Sequence, residues 1–215
     1  GSGSTGTNGS LDNLKGETEA IYRYYANLTM DDDLVKKGFV FDSGSDGSTV
    51  LAPGHQSDGD RGEPGMYFIT AERNRMKDRV NKGTWTIELS GSNSAGAAAT
   101  KLQLTDDSAY TDGGQTSTVA GPRYNIVAGT AGTRTSKTPV HGWFYPNVGL
   151  FAIRQSTVSA SIPGYTTPSD ISFDTRLGLN AASGGLGMDT TIGGKANTNA
   201  IKMVNALRTG GVTQT

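Results

Sequence analysis

Residues 84–90, TWTIELS, alternate strictly. In an extended chain Trp85, Ile87 and Leu89 share one face, and Thr84, Thr86, Glu88 and Ser90 share the other. A period of two cannot sit on a helix, so this segment requires a sheet with its apolar face covered. It closes the stretch 61–91, where a Gly/Pro turn leads into the apolar run 66–70. Met66 and Phe68 alternate there with Tyr67 and Ile69, all large, which predicts a strand covered on both faces. Between the two strands lies a cationic link with Arg73, Arg75, Lys77, Arg79 and Lys82. Ile69, Arg73, Met76 and Val80 share helical spacing and Gly83 is a good terminator, so the link reads as one or two helical turns or an irregular crossover.

The alternation recurs at Leu102 and Leu104, which predicts a hairpin with a long small-residue tip over 91–100. Residues 140–154 form a second unit, two apolar runs around Pro146, Asn147 and Gly149, and read as a hairpin with Trp143 and Tyr145 on one face. Shorter strands are expected over 39–42, 49–52 and 123–129, with loops over 106–121 and from 130 to Pro139. The run IYRYYANLT reads as a strand on its aromatic density, with Ile21, Arg23 and Tyr25 opposite Tyr22 and Tyr24. Residues 30–38, with three aspartates ahead of two lysines, suit one turn of helix.

Glycine supplies 31 of 215 residues, hydrophobic residues 34% and charged residues 18%. That balance fits a loop-rich β protein with a hydroxyl and amide surface. The fold class expected is therefore mainly β, a sandwich or barrel-like arrangement of antiparallel hairpins. One or two short helices and long Gly/Ser/Thr-rich loops complete it. Residues 1–10 read as a flexible arm or linker, 11–162 as the β-rich core, and 163–215 as an extended C-terminal arm. That arm carries a short helix near 199–208, where Ala200, Met203, Val204 and Leu207 share one stripe before Gly210.

Net charge is −1, so no global field draws nucleic acid or an anionic membrane, and neither is expected as a partner. The absence of cysteine excludes disulfides and thiolate chemistry. The G-x-G-x-x-G at residues 1–6 lacks the strand before it and the helix after it that a phosphate cradle needs. Asp42, Asp46 and Gly47 match half of a calcium loop, but Gly44 stands where a ligand belongs. His55 with Asp58, Asp60 and Glu63 has irregular spacing in a Gly/Pro-rich loop. His141 beside the 143–145 aromatics reads as a structural donor. No G-x-S-x-G elbow is present. The sequence thus gives no catalytic, metal or cofactor residue, and an enzyme is not expected. An acidic hydrolase on Glu63, Asp58 or Glu88 is the enzyme alternative. A carbohydrate module stacking sugars on Tyr22, Tyr25, Trp85 or Trp143 is the binding alternative.

Residues 66–91, MYFITAERNRMKDRVNKGTWTIELSG, and 141–153, HGWFYPNVGLFAI, resemble structural proteins of T-even-like contractile-tailed bacteriophages of the cyanophage type. The matching pieces are 22–25, 72–74, 83–89 and 142–149, within roughly residues 21 to 162. The resemblance implies a virion component, present in many copies and assembled with itself and other virion proteins. A tail or baseplate position comes first, with a capsid-surface or neck position as the alternative. On that reading Arg73, Arg75, Lys77, Arg79, Met203 and Leu207 are interface candidates, the arginines meeting acidic groups of the domain or of a neighbouring subunit.

Overall fold

The computed structural model describes residues 2–4, 12–31, 35, 38–39, 41, 65–72, 76, 78–92, 98–158, 161–163 and 195–215, excepting the side chains of 2–4, 12–19, 156 and 195–201. The chain is mainly β. Among the described residues ten strands run in sequence as β1 (Ser2–Ser4), β2 (Gly65–Thr70), β3 (Trp85–Ser92), β4 (Ala99–Asp106), β5 (Thr116–Thr118), β6 (Gly121–Thr130), β7 (Thr133–Arg134), β8 (Gly142–Tyr145), β9 (Leu150–Arg154) and β10 (Gly211–Gln214). The helices among the described residues are α1 (Asp12–Thr29), α2 (Gln155–Val158) and α3 (Lys195–Gly210). The strands join in the order β1-β2-β9-β8-β6-β4-β3-β10, with β5 and β7 each paired to β6. Two compact units divide the chain: Gly1–Thr86 with Leu104–Ala160 and Gln214–Thr215, and Ile87–Gln103 with Ser161–Thr213. Strands β3 and β4 run from one unit into the other.

In the first unit the antiparallel register decides which side chains meet. The pairs Met66↔Arg154, Phe68↔Ala152, Trp143↔Ala152 and Tyr145↔Leu150 place Met66, Phe68, Leu150, Ala152, Arg154, Trp143 and Tyr145 on one face. Helix α1 covers that face with Tyr22, Ala26 and Met30, and Phe39 fills the space beside them. The other face carries Phe144 and Phe151, stacked at 4.9 Å, with Trp85 edge-on to both. Both faces of β8 and β9 are therefore covered, whereas in β2 Met66 and Tyr67 are buried but Phe68 and Ile69 only partly so, less than the expectation for 66–70.

Helix α1 overturns the strand expected over the tyrosine run. Tyr22, Ala26, Thr29 and Met30 are the buried positions, a spacing of 3.6 rather than 2. Their backbone confirms the period, since Met30 N–H donates to the Ala26 carbonyl at 2.9 Å. Aromatic β-propensity loses here to a stripe that fits onto Phe39 and Phe68. The turn expected after it is present as a Val35 N–H bond to the Asp31 carbonyl. Phe39 and Phe41 are not in a strand, and residues 42–64 lie outside the described ones, with the calcium-like, returning-strand and His55 readings.

Residues 2–4 of the expected linker pair with β2 as an edge strand. The link after β2 has Met76 in a helical conformation, and it is clamped to the β8–β9 turn. Ala71 N–H donates to the Gly149 carbonyl and Val80 N–H to the Pro146 carbonyl. Gly149 sits at φ +64, and a Cβ there would run into the Met76 side chain. The loops expected over 106–121 and 130–139 each contain a strand, β5 and β7, because β6 extends to ten residues and offers them an edge. Ala131 and Gly132, at φ +44 and +76, make the two-residue turn between β6 and β7.

In the second unit Glu88 meets Lys101 at 3.0 Å and Gln103 at 2.8 Å across the β3–β4 hairpin. Helix α3 is longer than the 199–208 expected. It buries Met203 and Ala206, leaves Leu207 partly covered and exposes Val204, which falls off the expected stripe. Gly211, at φ +97, ends the helix, and β10 follows where the sequence signalled no strand.

Candidate functional site: a guanidinium–aromatic stack

Four side chains of the first unit form a layered stack. The Arg123 guanidinium lies 3.6 Å over the Trp143 ring, Phe41 stacks on Trp143 at 4.1 Å, and Arg154 lies 4.4 Å over Phe41. Each ring has room for one close partner per face, so the order is Arg123, Trp143, Phe41, Arg154. Register builds it: the ladder Asn125↔Trp143 and Tyr124↔Phe144 sets Arg123 opposite Tyr145, one diagonal from Trp143. Each cation–π layer contributes about 0.5–2 kcal/mol, more where water is excluded.

The two ends differ. Arg154 donates through Nη1 to the Val140 carbonyl at 3.3 Å and is further engaged. Arg123 pairs with no carboxylate among the described residues. Its Nε is sealed from solvent without a hydrogen-bond partner, although the residue as a whole is only half-buried. Burial pulls its pKa down, and the neighbouring Tyr145 hydroxyl opposes the fall. Tyr145 is fully buried; burial pushes its phenol up while Arg123 and Thr29 pull it back. The Tyr145 hydroxyl nonetheless makes no well-formed hydrogen bond to either.

Asp106, Asp107 and His141 are buried and hydrogen-bonded within the fold. Asp106 accepts from Gly83 N–H at 2.8 Å and Ser108 N–H at 3.1 Å. Asp107 accepts from Gly114 N–H, Asn125 N–H and Asn125 Nδ2, and burial raises its pKa against those bonds. These adjacent carboxylates staple loops rather than facing one another. His141 is buried, its Nδ1 3.3 Å from Thr157 Oγ1, and burial with Arg154 nearby lowers its pKa to about 4. It is a neutral structural side chain, as its aromatic setting suggested.

Of the interface candidates, Arg73, Arg75 and Lys77 lie outside the described residues. Arg79 is exposed, Met203 is buried within the chain, and Leu207 is partly covered. Burial removes Met203 from any free surface. Tyr22, Trp85 and Trp143 are buried and Tyr25 is stacked on Phe68, so the suggested sugar-stacking aromatics give no exposed coplanar pair. Glu88 is held by Lys101 and Gln103, while Asp58 and Glu63 lie outside the described residues. The sequence did not single out Arg123, because a lone arginine at a strand start reads as a solvated edge residue. No family model, no curated protein and no solved structure matches the chain.

Proposed function

We propose that this chain is a structural component of a bacteriophage virion, in the tail or baseplate first and at the capsid surface or neck second, working through contacts with copies of itself and with other virion proteins. The observation that carries the reading is the phage-like segments themselves, 66–91 and 141–153. It is supported by what those segments do in the fold. Residues 83–89 enter a core strand, 142–149 make the β8–β9 hairpin and its turn, and the link between β2 and β3 is clamped to that turn. Their side chains pack and turn the chain; the motifs are those of a scaffold. Tyr24 at 62% exposure and Leu28 at 38% share an outward face of α1, and Val119, at 61%, caps the β5–β6 turn. Such apolar side chains suit a protein that gains burial on assembly.

Quantitative mass spectrometry of purified particles, with labelled antibody to locate the chain, tests the proposal. Many copies at symmetry-related positions are expected, and a chain absent from particles would sink it. Within that test, Arg73→Glu with Arg75→Glu is expected to impair incorporation while leaving the circular dichroism of the isolated chain unchanged.

A further inference from the structure

We infer that Arg123 is a docking point for the carboxylate of an aspartate or glutamate on a neighbouring protein chain. The inference rests on the assembly role proposed above and names the chemistry of one contact in it. Buried charges in folded proteins are paired, because an uncompensated one bears its full desolvation cost. Arg123 is half-buried without such a pair: its surroundings are the Trp143 face, the Tyr145 hydroxyl and no carboxylate among the described residues. Nε is sealed without a hydrogen-bond partner, while the residue as a whole keeps part of its surface open to solvent. The stack on Trp143 holds the planar head in one orientation before any ligand arrives, which lowers the entropy lost on binding.

A guanidinium fixed in this way presents parallel N–H groups to a planar carboxylate, the geometry in which arginine binds best. A phosphate is less suited. It gathers several cations, and the second cation of the stack, Arg154, stands beyond two rings and is already engaged. The chain's near-neutral charge adds no wider field for a polyanion. A single acidic side chain, brought by the surface of a partner protein, matches one preoriented guanidinium.

The chain has two tryptophans, so indole N–H resonances offer a probe and an internal control. Sodium acetate, then acetyl-glutamate amide, is titrated into the whole protein at constant ionic strength, with inorganic phosphate in parallel. A saturable shift at Trp143 and none at Trp85 is expected with both carboxylates, with phosphate no tighter. Arg123→Gln abolishes the shift. Arg123→Lys, which keeps the charge and loses the fork, weakens it about tenfold, the worth of one charge-assisted hydrogen bond, and serves as the test should the glutamine variant fail to fold. A linear response, an equal shift at both indoles, tighter phosphate binding, or unchanged titration of the lysine variant overturns the inference. Absence of the chain from virions with carboxylate binding intact would instead refute the assembly role alone.

Discussion

The Tyr22 hydroxyl accepts a hydrogen bond from the Phe39 backbone N–H at 2.9 Å, and the two rings meet edge-on at 5.3 Å. One side chain of α1 thus supplies both apolar cover for the sheet and the partner that a buried amide needs. Tyr22→Phe keeps the ring and orphans the amide, so it is expected to cost about 1–3 kcal/mol. Tyr22→Ala also opens a cavity and should cost about 3–5 kcal/mol. Urea unfolding of the three proteins checks the order. A phenylalanine variant as stable as the parent would show that the bond contributes nothing.

Tyr22 also shows where the sequence was legible and where it was not. The strand at 84–90 and the hairpin at 140–154 could be read, because each carries a period-two pattern or a turn signature that local chemistry alone enforces. The tyrosine run could not, since its residues suit a strand and its helical stripe gains meaning only against Phe39 and Phe68, supplied from elsewhere in the chain. The short strands β5, β7 and β10 exist because a neighbour offers an edge, and two to four residues hold no periodic signal. Arg123 was hidden for a similar reason. Its stack joins residues twenty positions apart through strand register, which a single sequence does not display.

His141 makes stability depend on pH. Its folded pKa of about 4 lies below the ordinary 6.5 because burial and Arg154 disfavour the charged ring. Between those values the unfolded chain binds the proton and the folded chain does not, so stability falls as pH drops from about 6.5 to about 4. The loss amounts to about 3 kcal/mol over that window. Asp107, whose pKa is raised by burial, acts in the opposite sense. His141→Gln, which retains a polar group for Thr157, should flatten the unfolding midpoint between pH 6.5 and 5. Identical pH slopes in parent and variant would remove His141 as the cause.

Trp85 packs edge-on to Phe144 at 5.1 Å and Phe151 at 4.8 Å, with its indole N–H buried and unpartnered. Trp85→Phe gives up volume but also removes the orphaned donor, so the two effects partly offset and the cost should stay below about 2 kcal/mol. Trp85→Ala removes the same donor but opens a far larger cavity and should reach about 3–5 kcal/mol. Calorimetry on both variants checks the order. A cost of Trp85→Phe well above about 2 kcal/mol would mean that the unpartnered N–H carries no penalty.

Thr105 joins three segments through one buried hydroxyl. It donates to the Trp85 carbonyl at 2.8 Å and accepts from Gly132 N–H at 2.8 Å, tying β4 to the start of β3 and to the β6–β7 turn. Gly132 cannot be replaced without moving that turn, since it sits at φ +76 and a Cβ would lie 2.6 Å from the Gly83 carbonyl oxygen. Gly83, itself at φ +72, is fixed in place by Asp106, so the crowded atom has little room to yield. Thr105→Val leaves a buried carbonyl and a buried amide unpaired and should cost about 2–4 kcal/mol, the penalty for two orphaned groups. Gly132→Ala adds backbone strain to a steric clash and should cost about 2–3 kcal/mol. Because both changes loosen the same turn, the double variant should lose less than the sum of the two, by about 0.5 kcal/mol or more. Strict additivity in denaturant unfolding would mean that the hydroxyl and the glycine act independently, and that the turn is held by the β6–β7 ladder alone.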